Sequence, residues 1–224
     1  MVVSPLPFYH PSWRLKFLGQ LTDLLTPPRA ADQWSRPAPK ITKPKPNVII
    51  RLCSIECNFA VPLTDPSNAK FQADMANWAL ASNRTFIWNY ITNFHEFVAP
   101  FPDWYSIGPN VRFFQEHGVT GLFQEGAYES PGSDLMELKD YLASAMMWDP
   151  SRDDRQVIST FLTAYYGKAA PLVRLYMDTM HGSIADTSFF MPEGFPLVRL
   201  LCKVTLGLYP LLQTIPSHWT VLNT

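Results

Sequence analysis

Between residues 47 and 148 the apolar positions alternate between short continuous runs and stripes at helical spacing. The run at 47–53 (NVIIRLC) is rich in β-branched residues and predicts a strand. Residues 67–81 predict a helix, with Phe71, Met75, Trp78 and Ala79 as its apolar stripe and Asp65 or Ser67 as its cap. A second strand follows at 84–90 (RTFIWNY). The next helix is short, 109–117, with Pro109 near its first turn and Gly118 as its terminator. The third strand is 119–123 (VTGLF), and the third helix is 135–148, with Ser133 as a candidate cap.

Strands that alternate with helices imply a parallel sheet joined by right-handed crossovers. The strands begin about every 35 residues, which suits a (β/α) barrel unit or an open doubly wound sheet. Neither G-x-G-x-x-G nor G-x-x-x-x-G-K-[ST] occurs, so the nucleotide-binding versions lose support. A complete eightfold barrel takes about 250 residues. Only three units fit here, so the expected fold is α/β, a partial (β/α) TIM-type barrel over 47–150. Such a piece has an open sheet edge, and the expectation is poor independent stability or pairing with sequence outside this chain. After Trp148 a helix at 153–166 ends at Gly167, and a second runs over 169–182. Together they predict a helical hairpin, spanning 151–192, packed on the last βα unit. Residues 1–46 are Pro-rich and irregular apart from an amphipathic stretch at 13–25, and 193–224 form an apolar tail without a clear period.

Composition narrows the class. Of 224 residues, 47% are hydrophobic and 17% charged, which excludes a wholly disordered chain. Eighteen basic side chains face 19 acidic ones, so there is no global electrostatic case for nucleic acid or an anionic membrane. Lys40, Lys43 and Lys45 are interleaved with Pro and read as a solvated lead-in. The first ten residues show neither the basic nor the apolar run of a signal peptide. The late apolar segment 196–210 carries Arg199 and Lys203 and is too short and too charged for a span. The compartment stays open. Cys53 and Cys57 lie four residues apart, about 13 Å along an extended strand, and read as buried thiols. No metal and no cofactor is expected. Asn83-Arg84-Thr85 is a glycosylation sequon that abuts a strand.

In parallel α/β folds the chemistry gathers where strands end. The first strand end reads Ser54-Ile-Glu56-Cys-Asn-Phe59, the second Asn89-Tyr-Ile-Thr-Asn93-Phe-His95-Glu96, the third Gln124-Glu125-Gly-Ala-Tyr128-Glu129. Acids and amides bond hydroxyls, and aromatic faces stack on pyranose rings, so this mixture suits sugars. Glu56 and Glu125 are the candidate catalytic pair. Paired carboxylates hydrolyse glycosides when roughly 5–5.5 Å apart (retaining) or 6.5–9.5 Å apart (inverting), and two strands of a sheet can bring them into that range. Trp88, Asn89, Asn93, His95, Gln124 and Tyr128 are the candidate sugar contacts. An ion pair of Glu125 with Arg51 or Arg112 is the structural alternative. Trp148-Asp149-Pro150 reads as a helix stop and restart, and Tyr165-Tyr166-Gly167 as core aromatics with a cap.

Four stretches carry a resemblance. They are 46–59 (PNVIIRLCSIECNF), 86–94 (FIWNYITNF), 118–128 (GVTGLFQEGAY), and Met147-Trp-Asp-Pro150 with Tyr165-Tyr-Gly167. Over residues 36–195 the chain resembles an uncharacterised family of glycosidase-like TIM-barrel proteins, whose members often carry an α-glucuronidase-like N-terminal domain and include secreted proteins. The resemblance implies a barrel fold and a carbohydrate substrate. The resembled pattern more often has Trp-Asp-Tyr where this chain has Trp88-Asn89-Tyr90, and acid before amide where this chain has Gln124-Glu125. Asn89 cannot ionise. The expected function is therefore a glycoside hydrolase-like protein or fragment, with a non-catalytic carbohydrate-binding or scaffold protein as the alternative.

Overall fold

The computed structural model describes residues 9–10, 13–14 and 37–184, apart from His95 and Glu129. Strands β1 (Tyr9–His10) and β2 (Trp13–Arg14) pair antiparallel. Trp13 and Arg14, the start of the amphipathic stretch 13–25, are therefore extended, and 15–25 lie outside the described residues, as does the tail 193–224.

The main sheet has three parallel strands in sequential order, β3 (Ile50–Cys53), β4 (Thr85–Tyr90) and β5 (Gly121–Glu125). Helix α1 (Ala69–Ala81) joins the first pair and α2 (Ile107–Glu116) the second. Helices α3 (Met136–Trp148), α4 (Asp154–Tyr166) and α5 (Ala170–Ser183) follow. This is the expected α/β order, and among the described residues the sheet is open. Each of α2, α3 and α4 packs on the helix that follows it, and α4 with α5 makes the hairpin.

Local chemistry sets the boundaries. A single turn of 3-10 helix, Pro66–Asn68, precedes α1, and the Asp65 carboxylate caps it by accepting from the Ser67 amide. Asp153 caps α4 in the same way, accepting from the Arg155 and Gln156 amides. Asp149 accepts from the Ser151 amide and hydroxyl, which explains the stop and restart after Trp148. Ser133 does not cap α3 with its side chain. The preceding position is Leu135, held at φ 47°, a conformation that costs a residue with a Cβ.

Gly118, at φ 69°, ends α2 as expected. The third strand begins later than residue 119. The Val119 amide still bonds Phe114 and the Thr120 amide bonds Thr85, so the ladder registers only from Gly121. Glu125 is thus the last residue of β5 rather than the second residue beyond it.

Period-two alternation then sorts the sheet. Ile50, Leu52, Ile87 and Leu122 share one face and are buried. Both crossovers advance in the same direction, so right-handedness sets α1 and α2 on that face. The opposite face carries Arg51, Phe86, Trp88, Phe123 and Glu125, none of them fully buried. Tyr90 and Cys53 on this face are buried at its C-terminal end, where Phe59 and Phe94 meet the Tyr90 ring edge-on. Among the described residues no helix is long and apolar enough to cross a membrane.

Candidate functional site

The C-terminal ends of β3, β4 and β5 hold most of the residues singled out from the sequence, and the sheet divides them between its faces. On the open face the Trp88 indole N–H donates to the Glu125 carboxylate. The same ring meets Phe123 edge-on at 5.3 Å, and the Arg51 guanidinium lies 4.7 Å from its centroid. Trp88 is therefore an anchor with occupied surfaces, and it orients Glu125. Neither Arg51 nor Arg112 pairs with Glu125 among the described residues: Arg112 is committed to Asp154 at 2.6 Å.

An aromatic series continues from Tyr90, which stands opposite Glu125 in the register. Tyr90 contacts Phe94, and Phe94 contacts Phe97 and Tyr128. Tyr128 is 54% exposed, so it presents aromatic surface to solvent three residues beyond Glu125. Beneath this series burial raises the Tyr90 phenol and the Cys53 thiol, which are hydrogen-bonded to each other. Both stay protonated near neutral pH.

On the closed face the same level of the sheet carries a buried polar row. Ser54 donates to Asn89 Oδ1, and Asn89 Nδ2 donates to Gln124 Oε1 at 2.7 Å. Asn89 and Gln124 are each 2% exposed. Asn93 is buried as well. These three amides lie inside the protein, and the first two bond to each other. Gln124 Nε2 is buried and finds no acceptor among the described residues. His95 lies outside the described residues.

Glu56 is occupied elsewhere. Lys70, in the first turn of α1, reaches it at 2.9 Å. The charges nearest Cys57 are Glu56, Lys70 and Asp74, and burial pushes that thiol well up. The structure thus brings Trp88 to Glu125, Asn89 to Gln124, and Phe94 to Tyr128, while Glu56 keeps company with α1. Cys53 and Cys57 are both buried, and among the described residues no three His, Cys, Asp or Glu side chains gather as metal ligands.

One cluster escaped the sequence reading. Lys139 of α3 is 1% exposed, and its ammonium meets the Asp103 carboxylate and the Phe101 carbonyl, each at 2.7 Å. Asp134 lies 3.9 Å from that ammonium and accepts from the Phe101 amide. Phe101 and Trp104 offer it their ring faces. Lys139 thereby ties the segment after β4 to the segment after β5, the two that carry Phe94 and Tyr128. Burial raises the Asp103 carboxyl to about 6 against the pull of the ammonium. The signal was present: Lys139 shares a helical stripe with Ala143 and Met146, and a lysine on an apolar stripe needs a partner.

Residues 30–178 match the family described as a domain of unknown function, DUF4838. The chain belongs to that family. The match covers the whole sheet and α1 to α4, and it names neither a glycosidase nor a TIM barrel. No curated protein and no solved structure matches the chain.

Proposed function

We propose that this DUF4838 protein binds carbohydrate at the C-terminal edge of its sheet, as a glycoside hydrolase-like protein or part of one. One observation carries the reading: Glu125, half-buried at the end of β5, is anchored by the Trp88 indole and followed three residues on by the exposed Tyr128. An anchored carboxylate accepts hydroxyl hydrogens without paying for its own ordering, and an aromatic face beside it takes the apolar side of a pyranose. Sequential parallel strands with both crossovers on one side are also what a segment of a (β/α) barrel has, and in a barrel the open face would line the interior.

Binding is favoured over hydrolysis because the usual mechanism takes two carboxylates, and Glu56 is held by Lys70. Hydrolysis remains the second reading for a specific reason. The Lys70 side chain is 66% exposed, and exposed ion pairs contribute only about 0–1 kcal/mol, so substrate can release Glu56. The test is a titration of the full chain with soluble xylan, mixed-linkage glucan and polygalacturonate, following tryptophan fluorescence, with reducing ends counted in parallel. Saturable binding to one glycan that Tyr128→Ala weakens supports the proposal. Release of reducing ends that Glu125→Gln abolishes promotes the second reading. Absence of binding to every glycan, with the protein folded, overturns both.

A further inference from the structure

We propose that Arg51 makes this site selective for a carboxylate-bearing polysaccharide, a polyuronate. The inference rests on the carbohydrate reading and adds the charge of the sugar. Arg51 is exposed at the second position of β3, on the same face as Trp88 and Glu125. Arg84, Arg112 and Arg174 each donate to an oxygen of the chain. Arg51 does not: among the described residues no carboxylate and no carbonyl receives it. What holds it is the Trp88 ring, 4.7 Å from the guanidinium carbon.

Stacking changes what an arginine can do. The indole lies against the guanidinium and limits the freedom of a long side chain, while the N–H groups that no acceptor among the described residues receives stay available. That planar fork matches the two oxygens of a carboxylate. Trp88 thus stands between a cation and an anion, with Arg51 on its ring and Glu125 on its N–H. A uronate supplies the complement to both: a carboxylate for Arg51 and hydroxyls for Glu125. A densely sulfated chain fits less well, because several anions per repeat would meet the Glu125 charge. Bulk attraction is no competitor, since the formal net charge of the chain is −1.

The experiment measures affinity of the full chain for polygalacturonate, for its methyl ester, in which the same sugar has lost its charge, for neutral xylan and for heparin. The expected result is tightest binding to polygalacturonate, with the methyl ester weaker by roughly tenfold or more, the worth of one charge-assisted bidentate contact. Arg51→Gln should abolish that difference, and Arg51→Lys should restore it only in part, because a point charge lacks the fork. Tyr128→Ala should weaken both forms alike. Equal binding of the two forms, or a preference that survives Arg51→Gln, overturns the role of Arg51 and leaves the carbohydrate reading standing. Stronger binding of heparin overturns the choice of carboxylate. Failure to bind any glycan overturns the site itself. Arg51 is exposed, so a thermal melt of Arg51→Gln matching the parent keeps the comparison clean.

Discussion

On the closed face of the sheet the polar side chains bond to one another, whereas on the open face, among the described residues, Arg51 has no polar partner and Glu125 receives a single indole N–H. Ser54, Asn89 and Gln124 form a row one residue out of step with Cys53, Trp88 and Phe123, and that one residue decides everything about them. The closed row is buried under α1 and α2, where an amide must find a partner or cost about 1–3 kcal/mol. The open row faces away from the helices, where a charge keeps its hydration and remains available to a ligand. Residue type alone does not distinguish the two. Asn and Gln suit sugar hydroxyls as well as Glu does, but parity turns the amides inward.

The contrast predicts its largest effect in the closed layer. Ile87→Ala should lower unfolding free energy by about 2–5 kcal/mol, the usual cost of emptying a buried Ile site. Ile87 is fully buried on the closed face, and its neighbour Phe86 is not. Urea denaturation of the two alanine variants side by side gives the reading. A larger loss at Phe86 than at Ile87 would break the assignment of faces.

Asn89→Asp gives a smaller effect and a sharper test. The replacement deletes the donor to Gln124 Oε1 and adds a charge in a buried row, so a loss of about 1–3 kcal/mol is expected. Gln124 Nε2 lies without an acceptor among the described residues, and rotation of that amide would let it donate to the new carboxylate and recover part of the loss. No glycosidase activity should appear, because the side chain faces the helices. Turnover gained by Asn89→Asp would place this row in a catalytic cleft and reverse the comparison.

The sequence showed the order of elements plainly, since each strand and helix announced itself by period and by its stops. It failed where parity mattered. Val119 and Thr120 read as strand because they are β-branched, yet their amides are spent on Phe114 and Thr85. Moving the strand two residues on carried Glu125 into it. The partners of Glu125 and of Glu56 were beyond reach for a different reason. Trp88 to Glu125 and Lys70 to Glu56 are tertiary contacts, and nothing in local spacing encodes which carboxylate meets a lysine and which an indole. Lys139 was legible in part: its stripe marks it as buried, though not that Asp103 and Asp134 would receive it.

Acid should separate the regions with a smaller effect again. His181 of α5 packs its ring on Tyr105 and meets the Pro102 carbonyl, beside Arg155 and Asp178. Burial, with Arg155 adding to it, lowers its pKa. A histidine held neutral when folded binds fewer protons than when unfolded, so stability falls as pH drops below about 6.5. Asp103 acts in the opposite sense. Its carboxyl is raised to about 6, so between the ordinary carboxylate range near 4 and pH 6 the folded state binds the extra proton and stability falls as pH rises. Melting curves from pH 4 to pH 7 should therefore show His181→Gln removing the acid-side loss and exposing the Asp103 slope.

The smallest effect on stability should come from Glu125→Gln, and it is the one that matters most for function. Gln keeps an oxygen to receive the Trp88 indole N–H, loses only the charge, and occupies a half-buried position at the end of β5. A change within about 0.5 kcal/mol is expected, as for substitutions away from buried networks. Affinity for glycan should nevertheless fall, because a neutral amide accepts hydroxyl hydrogens more weakly than a carboxylate does. Side chains that bond within the fold lose stability when changed, and side chains reserved for a ligand lose affinity instead. Glu125→Gln therefore has to separate the two quantities. If denaturation shows a loss as large as that of Asn89→Asp while glycan affinity stays constant, Glu125 is part of the scaffold, and the open face has no anchored carboxylate to offer a sugar.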